Sequence, residues 1–149
     1  MIREIEFRAK ANWKETDMAT INRSYRDGDW VCGDLHLRDK RPHIHDANNE
    51  RVPIDVDTIG QFTGMYDSNG NKIYEGDIVK VTEDQLLAAS PTYVGFIDFR
   101  RGMWCVCTYH KSIDFWFDTP FYAHSKNGSI ATVIGNMTDT PELVNQLNS

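Results

Sequence analysis

"IGQFTGMYDSNGNKIYEGDIVKV", residues 59–81, decides how the chain is read. Gly64, Gly70 and Gly76 recur through it at even spacing. A phosphate-binding loop gathers its glycines ahead of a helix and follows them with Lys-Ser or Lys-Thr. Here they are spread between β-rich segments, and no such pair follows. Asp67, Asn69, Gly70 and Asn71 match part of a calcium loop. The twelfth position of that loop needs a bidentate acid, and counting from Asp67 it is Ile78. Asn69-Gly70 is a hairpin signal, because both residues accept positive φ. Asp67 and Asp77 read as turn acids whose carboxylates bond nearby backbone N–H groups. The stretch is therefore architecture: a hairpin, a second turn from Tyr74 to Asp77, and a strand with Val79 and Val81 facing inward.

Outward from this stretch the chain stays β-rich. "IREIEFR" (2–8) alternates with period two, which predicts a strand with Ile2, Glu4, Glu6 and Arg8 on one face and Arg3, Ile5 and Phe7 mostly on the other. "WVCGDLHLR" (30–38) puts Val31, Leu35 and Leu37 on one face, and Trp30, Cys32, Asp34 and His36 on the other. "PHIHDANNERVPIDV" (42–56) reads as a hairpin turning at "DANNE". "YVGFIDF", "RRG" and "MWCVCTY" (93–109) read as another, "SIDFWFDT" (112–119) alternates, and "SIATVIGN" (129–136) is a last strand. "TEDQLLAAS" (82–90) is a helical turn or loop, and "DTPELVNQL" (139–147) a short helix with Thr140 as N-cap and Pro141 first.

The expected fold is mainly β, with the whole chain, 1–149, as one domain. An N-terminal β-rich subdomain runs to about residue 58, and a C-terminal SH3-like barrel-type subdomain spans 59–149. The barrel reading rests on the turn-and-strand order of residues 75–137.

A net charge of −6 disfavours a protein that lives by phosphate contacts, which need a basic face. No apolar run approaches the ~18 residues of a membrane helix. The start, "MIREIEFRAK", lacks a signal-peptide core, so the expected compartment is the cytoplasm. Cys32, Cys105 and Cys107 are an odd set, read as free thiols.

Candidate chemistry is sparse. His43 and His45 share a strand face, and a third ligand could come from His36 or Cys32, with Asp46 near. That spacing matches no established zinc pattern, so histidines facing solvent around a hairpin are the simpler reading, and no metal or cofactor is expected. Cys105 and Cys107 share a strand face as small hydrophobes. Cys107 with His110 or His124 has no nucleophile motif, and no enzyme is expected. Arg38, Lys40 and Arg41 form one basic cluster, and Arg100 and Arg101 sit at a hairpin tip beside Trp104. With Trp30, Tyr109 and Trp116 these could clamp a single nucleic-acid strand. Solvated turn charges over core aromatics are the plainer account.

The quoted stretch resembles the signature of the YopX family of phage and prophage proteins. "IEFRAK", "GDWVCG", "VGFIDFRRGMWCV" and "VIGNMTDTPEL" resemble further parts of that family in order. "TEDQLLAAS" and residues 109–129 follow no fixed family pattern. The resemblance implies a largely β fold, a phage or prophage origin and action in the bacterial cytoplasm. It supplies no activity and no catalytic residue. The leading expectation is a non-enzymatic module that binds a protein partner or another copy of itself. A nucleic-acid-binding module comes second, and a metal- or thiol-dependent enzyme third.

Overall fold

The computed structural model describes residues 3–14, 23–38, 40–82, 92–121 and 130–146. The chain divides into two compact units, Met1–Phe62 and Thr63–Ser149, and the boundary falls within a strand. The mainly β expectation holds, with one short α-helix among the described residues. No helix among the described residues is long and apolar enough to cross a membrane.

The first unit is built on β1 (Phe7–Lys10), β2 (Trp30–His36), β3 (His43–His45) and β4 (Arg51–Pro53), with the start of β5 (Gly60–Tyr66). They lie in the order β4-β3-β2-β1-β5, and every pairing is antiparallel. Alternation sends Ala9, Val31, Ile44 and Val52 to one face, fully buried. With Ala11 and Ile54 they form a core against which Trp13, Tyr25, Leu35 and Ile59 pack. Val31, Ile44, Val52 and Ile54 each contribute about 1.5–3 kcal/mol by leaving water. β1 starts at Phe7, later than the alternation of 2–8 predicts, because its partners on β2 and β5 begin opposite Phe7. Ile5 precedes the pairing and is 63% exposed. Leu37 follows the end of β2 and is likewise exposed.

The second unit takes the rest of β5, then β6 (Lys72–Tyr74), β7 (Asp77–Thr82), β8 (Thr92–Arg100), β9 (Met103–His110), β10 (Phe115–Pro120), β11 (Ile130–Asn136) and α1 (Leu143–Gln146). Its main sheet has the order β10-β9-β8-β7-β11, antiparallel throughout. Core residues pack on both faces. Ile73, Val79, Val81, Ile97, Val106, Phe121 and Ala131 pack on one. Ile78 and Val94 pack with Val144 of α1 on the other. The run Ile78-Val79 is buried at both residues because the strand has core on either side. No pairing among the described residues joins β10 to β11, so the expected SH3-like closure is not among the pairings found.

The helix is shorter than residues 139–147. Thr140 does not cap it: its hydroxyl turns back to Asn136, 3.2 Å from both the N–H and the carbonyl. Gly135 makes room for this fold-back, since a Cβ there would collide with Thr140 and Leu143. The "TEDQLLAAS" reading falls, apart from Thr82, outside the described residues.

The opening stretch is a clamp. Asp67 is buried at the head of the β5–β6 turn. Its Oδ1 accepts the N–H groups of Asn69 at 2.9 Å and Asn71 at 2.8 Å. Its Oδ2 accepts the N–H of Val133 on β11 at 3.0 Å. With both oxygens occupied by the chain's own amides, no cation is needed. Asp77, also buried, accepts the Tyr74 N–H at 2.7 Å and closes the next turn. The β3–β4 turn repeats the first arrangement. Asp46 Oδ1 accepts Asn48 N–H at 2.9 Å and Glu50 N–H at 2.8 Å, and Oδ2 accepts the Tyr25 hydroxyl at 2.7 Å. Residues three beyond each aspartate, Asn49 and Gly70, have φ of 61° and 80°.

Candidate functional site

Two surfaces stand out, one in each unit. In the second unit β10 is an edge of its sheet, and Phe115, Trp116 and Phe117 are 56%, 44% and 41% exposed. Ile113, just before them, is 62% exposed. The rings are ordered by one another. Phe115 and Phe117 lie 5.0 Å apart, and His110 meets Phe117 edge-on at 5.0 Å. On the opposite face Trp116 packs against Tyr109 at 5.2 Å and Phe96 at 5.6 Å. A groove of about 500 Å³ runs alongside, lined by Tyr93, Thr108, His110, Ile113, Phe117 and Thr119 with Thr92. The other edge strand, β11, is met differently. The 67–71 turn covers it, Ser68 N–H donating to the Ala131 carbonyl at 2.9 Å and Asp67 holding Val133. Natural sheets commonly blunt their edges with charge, proline or cover. On β10 those devices, Asp118 and Pro120, come only after the three aromatic residues.

The basic and aromatic residues singled out from sequence divide between the units. Arg38, Lys40 and Arg41 are exposed between β2 and β3. Arg100 and Arg101 flank the tip of the β8–β9 hairpin, where Arg101 has φ of 52°. Arg100 donates through Nε to Asp98 at 2.9 Å and through its terminal nitrogen to Asp118 at 2.8 Å. Arg101 reaches Asp118 at 3.2 Å. Two positive charges are thus matched by two negative ones. Trp104 is half-buried, edge-on to Phe99 at 5.0 Å.

The structure does not assemble Cys107 with His110 as a nucleophile pair. Burial, then a hydrogen bond to Asp118, pushes the Cys107 thiol up to about 12, so it stays protonated near neutrality. His110 lies three residues along the same strand, which places it on the opposite face from Cys107. His124 lies outside the described residues.

The histidines of the first unit do come together. His36 on β2 is the direct cross-strand partner of His43 on β3, and His45 lies two residues further along the same face. Ring centroids are 4.8 Å apart for His36–His43, which stack at 3°. They are 4.6 Å apart for His36–His45 and 4.9 Å for His43–His45. His43 is 2% exposed, His45 half-buried and His36 exposed. The Nδ1 of His43 lies 3.2 Å from the Arg41 carbonyl. A carbonyl only accepts, so Nδ1 carries the hydrogen and Nε2 of the neutral ring keeps its lone pair. Burial, then Arg51 and the other two imidazoles, hold His43 below the usual histidine range, against the bond to Arg41. Gly33 permits the crowding, since a Cβ at this position of β2 would collide with the His45 carbonyl. Among the described residues, these three histidines are the set whose donor atoms could share one ion. The spacing of His43 and His45 was visible in sequence. The register that adds His36 was not.

The model of the YopX protein family matches residues 6–145. A crystal structure of a protein from Enterococcus faecalis aligns over 95% of this chain and 98% of its own, with 21% identity and a TM-score of 0.45. Among curated proteins nothing matches significantly.

Proposed function

This chain belongs to the YopX protein family, and on that premise we propose that it is a phage- or prophage-encoded, non-enzymatic protein-interaction module of the bacterial cytoplasm. The carrying observation is the edge strand β10, which no other described strand pairs on its outer side, with its exposed run Phe115-Trp116-Phe117. An edge strand accepts an added strand through its main chain, and pockets beside it sort the side chains. The groove at Tyr93, His110 and Phe117 is such a pocket. The added strand comes from a protein partner or from a second copy of the chain, in which case the two β10 edges pair about a twofold axis. The matched charges at Arg100, Arg101, Asp98 and Asp118 favour a protein over nucleic acid as the partner.

The test compares the wild-type chain with a Phe115→Lys/Phe117→Lys variant, both positions being exposed. Solution mass is measured across a concentration series, and tagged protein is captured from infected cells with and without nuclease. The expected result is a stoichiometric protein, or a dimer, retained after nuclease by the wild type and lost in the variant. Recovery of nucleic acid alone, with every protein released by nuclease, overturns the reading. So does association that the variant leaves intact.

A further inference from the structure

The face of the first unit opposite its core carries chemistry that strand addition at β10 does not use. We propose that His36, His43 and His45 form a binding site for a divalent transition-metal ion of the zinc type, with three imidazole nitrogens as ligands and the fourth position open to water. The donor atoms lie within 4.8 Å of one another. A tetrahedral ion with metal–nitrogen bonds of about 2.1 Å needs donors roughly 3.4 Å apart, so the site closes by ring rotation of about an ångström. His36 supplies most of it. It is exposed, and turning out of its stack on His43 costs little because χ2 of an imidazole is broad. His43 is the fixed ligand: its Nδ1–H bond to the Arg41 carbonyl orients the ring and leaves Nε2 as donor. That outer bond to a backbone carbonyl is the usual support of a metal-bound histidine. An all-imidazole set selects zinc, copper, nickel or cobalt over magnesium and calcium, which prefer oxygen.

One neighbour works against a cation. Arg51 on β4 is the cross-strand partner of His45. Its charge weakens the site without occupying it, which gives the proposal a sign that a merely packed trio of rings would not show. Cys32 and Asp34 share the strand face of His36 on β2 and are exposed. Cys32 is the competing soft ligand to be controlled for.

The experiment titrates the full chain, free of any histidine tag, with Zn²⁺ by calorimetry and with Co²⁺ by visible absorption. One ion per chain and the intense absorption of tetrahedral cobalt are expected, with melting temperature rising with Zn²⁺ concentration. His36→Gln, at an exposed position, should weaken binding about tenfold or more, as should His45→Gln, while Arg51→Gln should tighten it. Cys32→Ser should leave it unchanged. Absence of binding at protein concentration, binding indifferent to His36→Gln, or binding lost in Cys32→Ser each overturns the proposal.

Discussion

The turns at Asp46 and Asp67 are one local device set in two places. In each, a buried aspartate heads a tight loop, accepts the N–H groups two and four residues on, and is followed at the third position by a residue with positive φ. They part at the second carboxylate oxygen. Asp67 gives it to a backbone amide of β11, Asp46 to the phenol of Tyr25. The local half is fixed by short-range sequence, Asp-x-Asn, and forms wherever the chain must reverse. The distant half decides what the turn does for the fold. Asp67 anchors an edge strand, and Asp46 anchors one aromatic side chain.

The comparison can be broken from the strongest point down. Asp67→Ala strands three backbone N–H groups, one of them on β11, and should cost about 3–5 kcal/mol. Asp46→Ala strands two and a phenol, and should cost about 2–4 kcal/mol. Urea unfolding of both variants tests the order, and equal losses would mean that the tie to β11 is worth no more than the bond from Tyr25.

The phenol makes one turn sensitive to base and the other not. The hydrogen bond to Asp46, then burial, pushes the Tyr25 hydroxyl up to about 12. A raised value means stability that is complete below the unfolded pKa of about 10 and lost as pH rises towards the folded one. Tyr25→Phe should therefore cost about 1 kcal/mol at pH 7. Its deficit against wild type should shrink between pH 10 and 12, and a deficit constant across that window would exclude the linkage. On the acid side both turns behave alike. The Tyr25 bond, opposed by burial and helped by the Glu50 and Asn48 amides, holds Asp46 low. Burial pushes Asp67 up, but the amides of Val133, Asn71 and Asn69 hold it low as well. Depressed values mean stability present above about pH 4 and lost as pH falls through the folded pKa values.

The smallest effects concern the positive φ positions. Gly70→Ala meets no atom within 4 Å, so only backbone strain acts, about 1 kcal/mol. Asn49→Gly should instead gain a few tenths of a kcal/mol. Thermal melts resolve both, and matching signs would show that the two loops differ in conformation.

Both turns were legible because Asp, Asn and Gly act over four or five residues. The alternating strands were legible for the same reason, except where pairing decides their ends, as at Ile5 and Leu37. What sequence could not supply was order across the sheet. "SIDFWFDT" alternates whether it lies at a centre or an edge, and only the order β10-β9-β8 shows that it is an edge, where its aromatics on both faces stay exposed. The histidines are the intermediate case. His43 and His45 share a face by spacing alone. His36 joins them through a register set by Gly33 and the loop that follows β2.

The exposed ring of Trp116 has a practical consequence. Of the four tryptophans, Trp13, Trp30 and Trp104 are half-buried in the fold, while Trp116 lies more open on the strand proposed for docking. The chain therefore carries an intrinsic fluorophore at that surface. A strand laid along β10 would move this indole from water into an apolar setting and shift its emission to the blue. Engagement could then be followed in real time without a label.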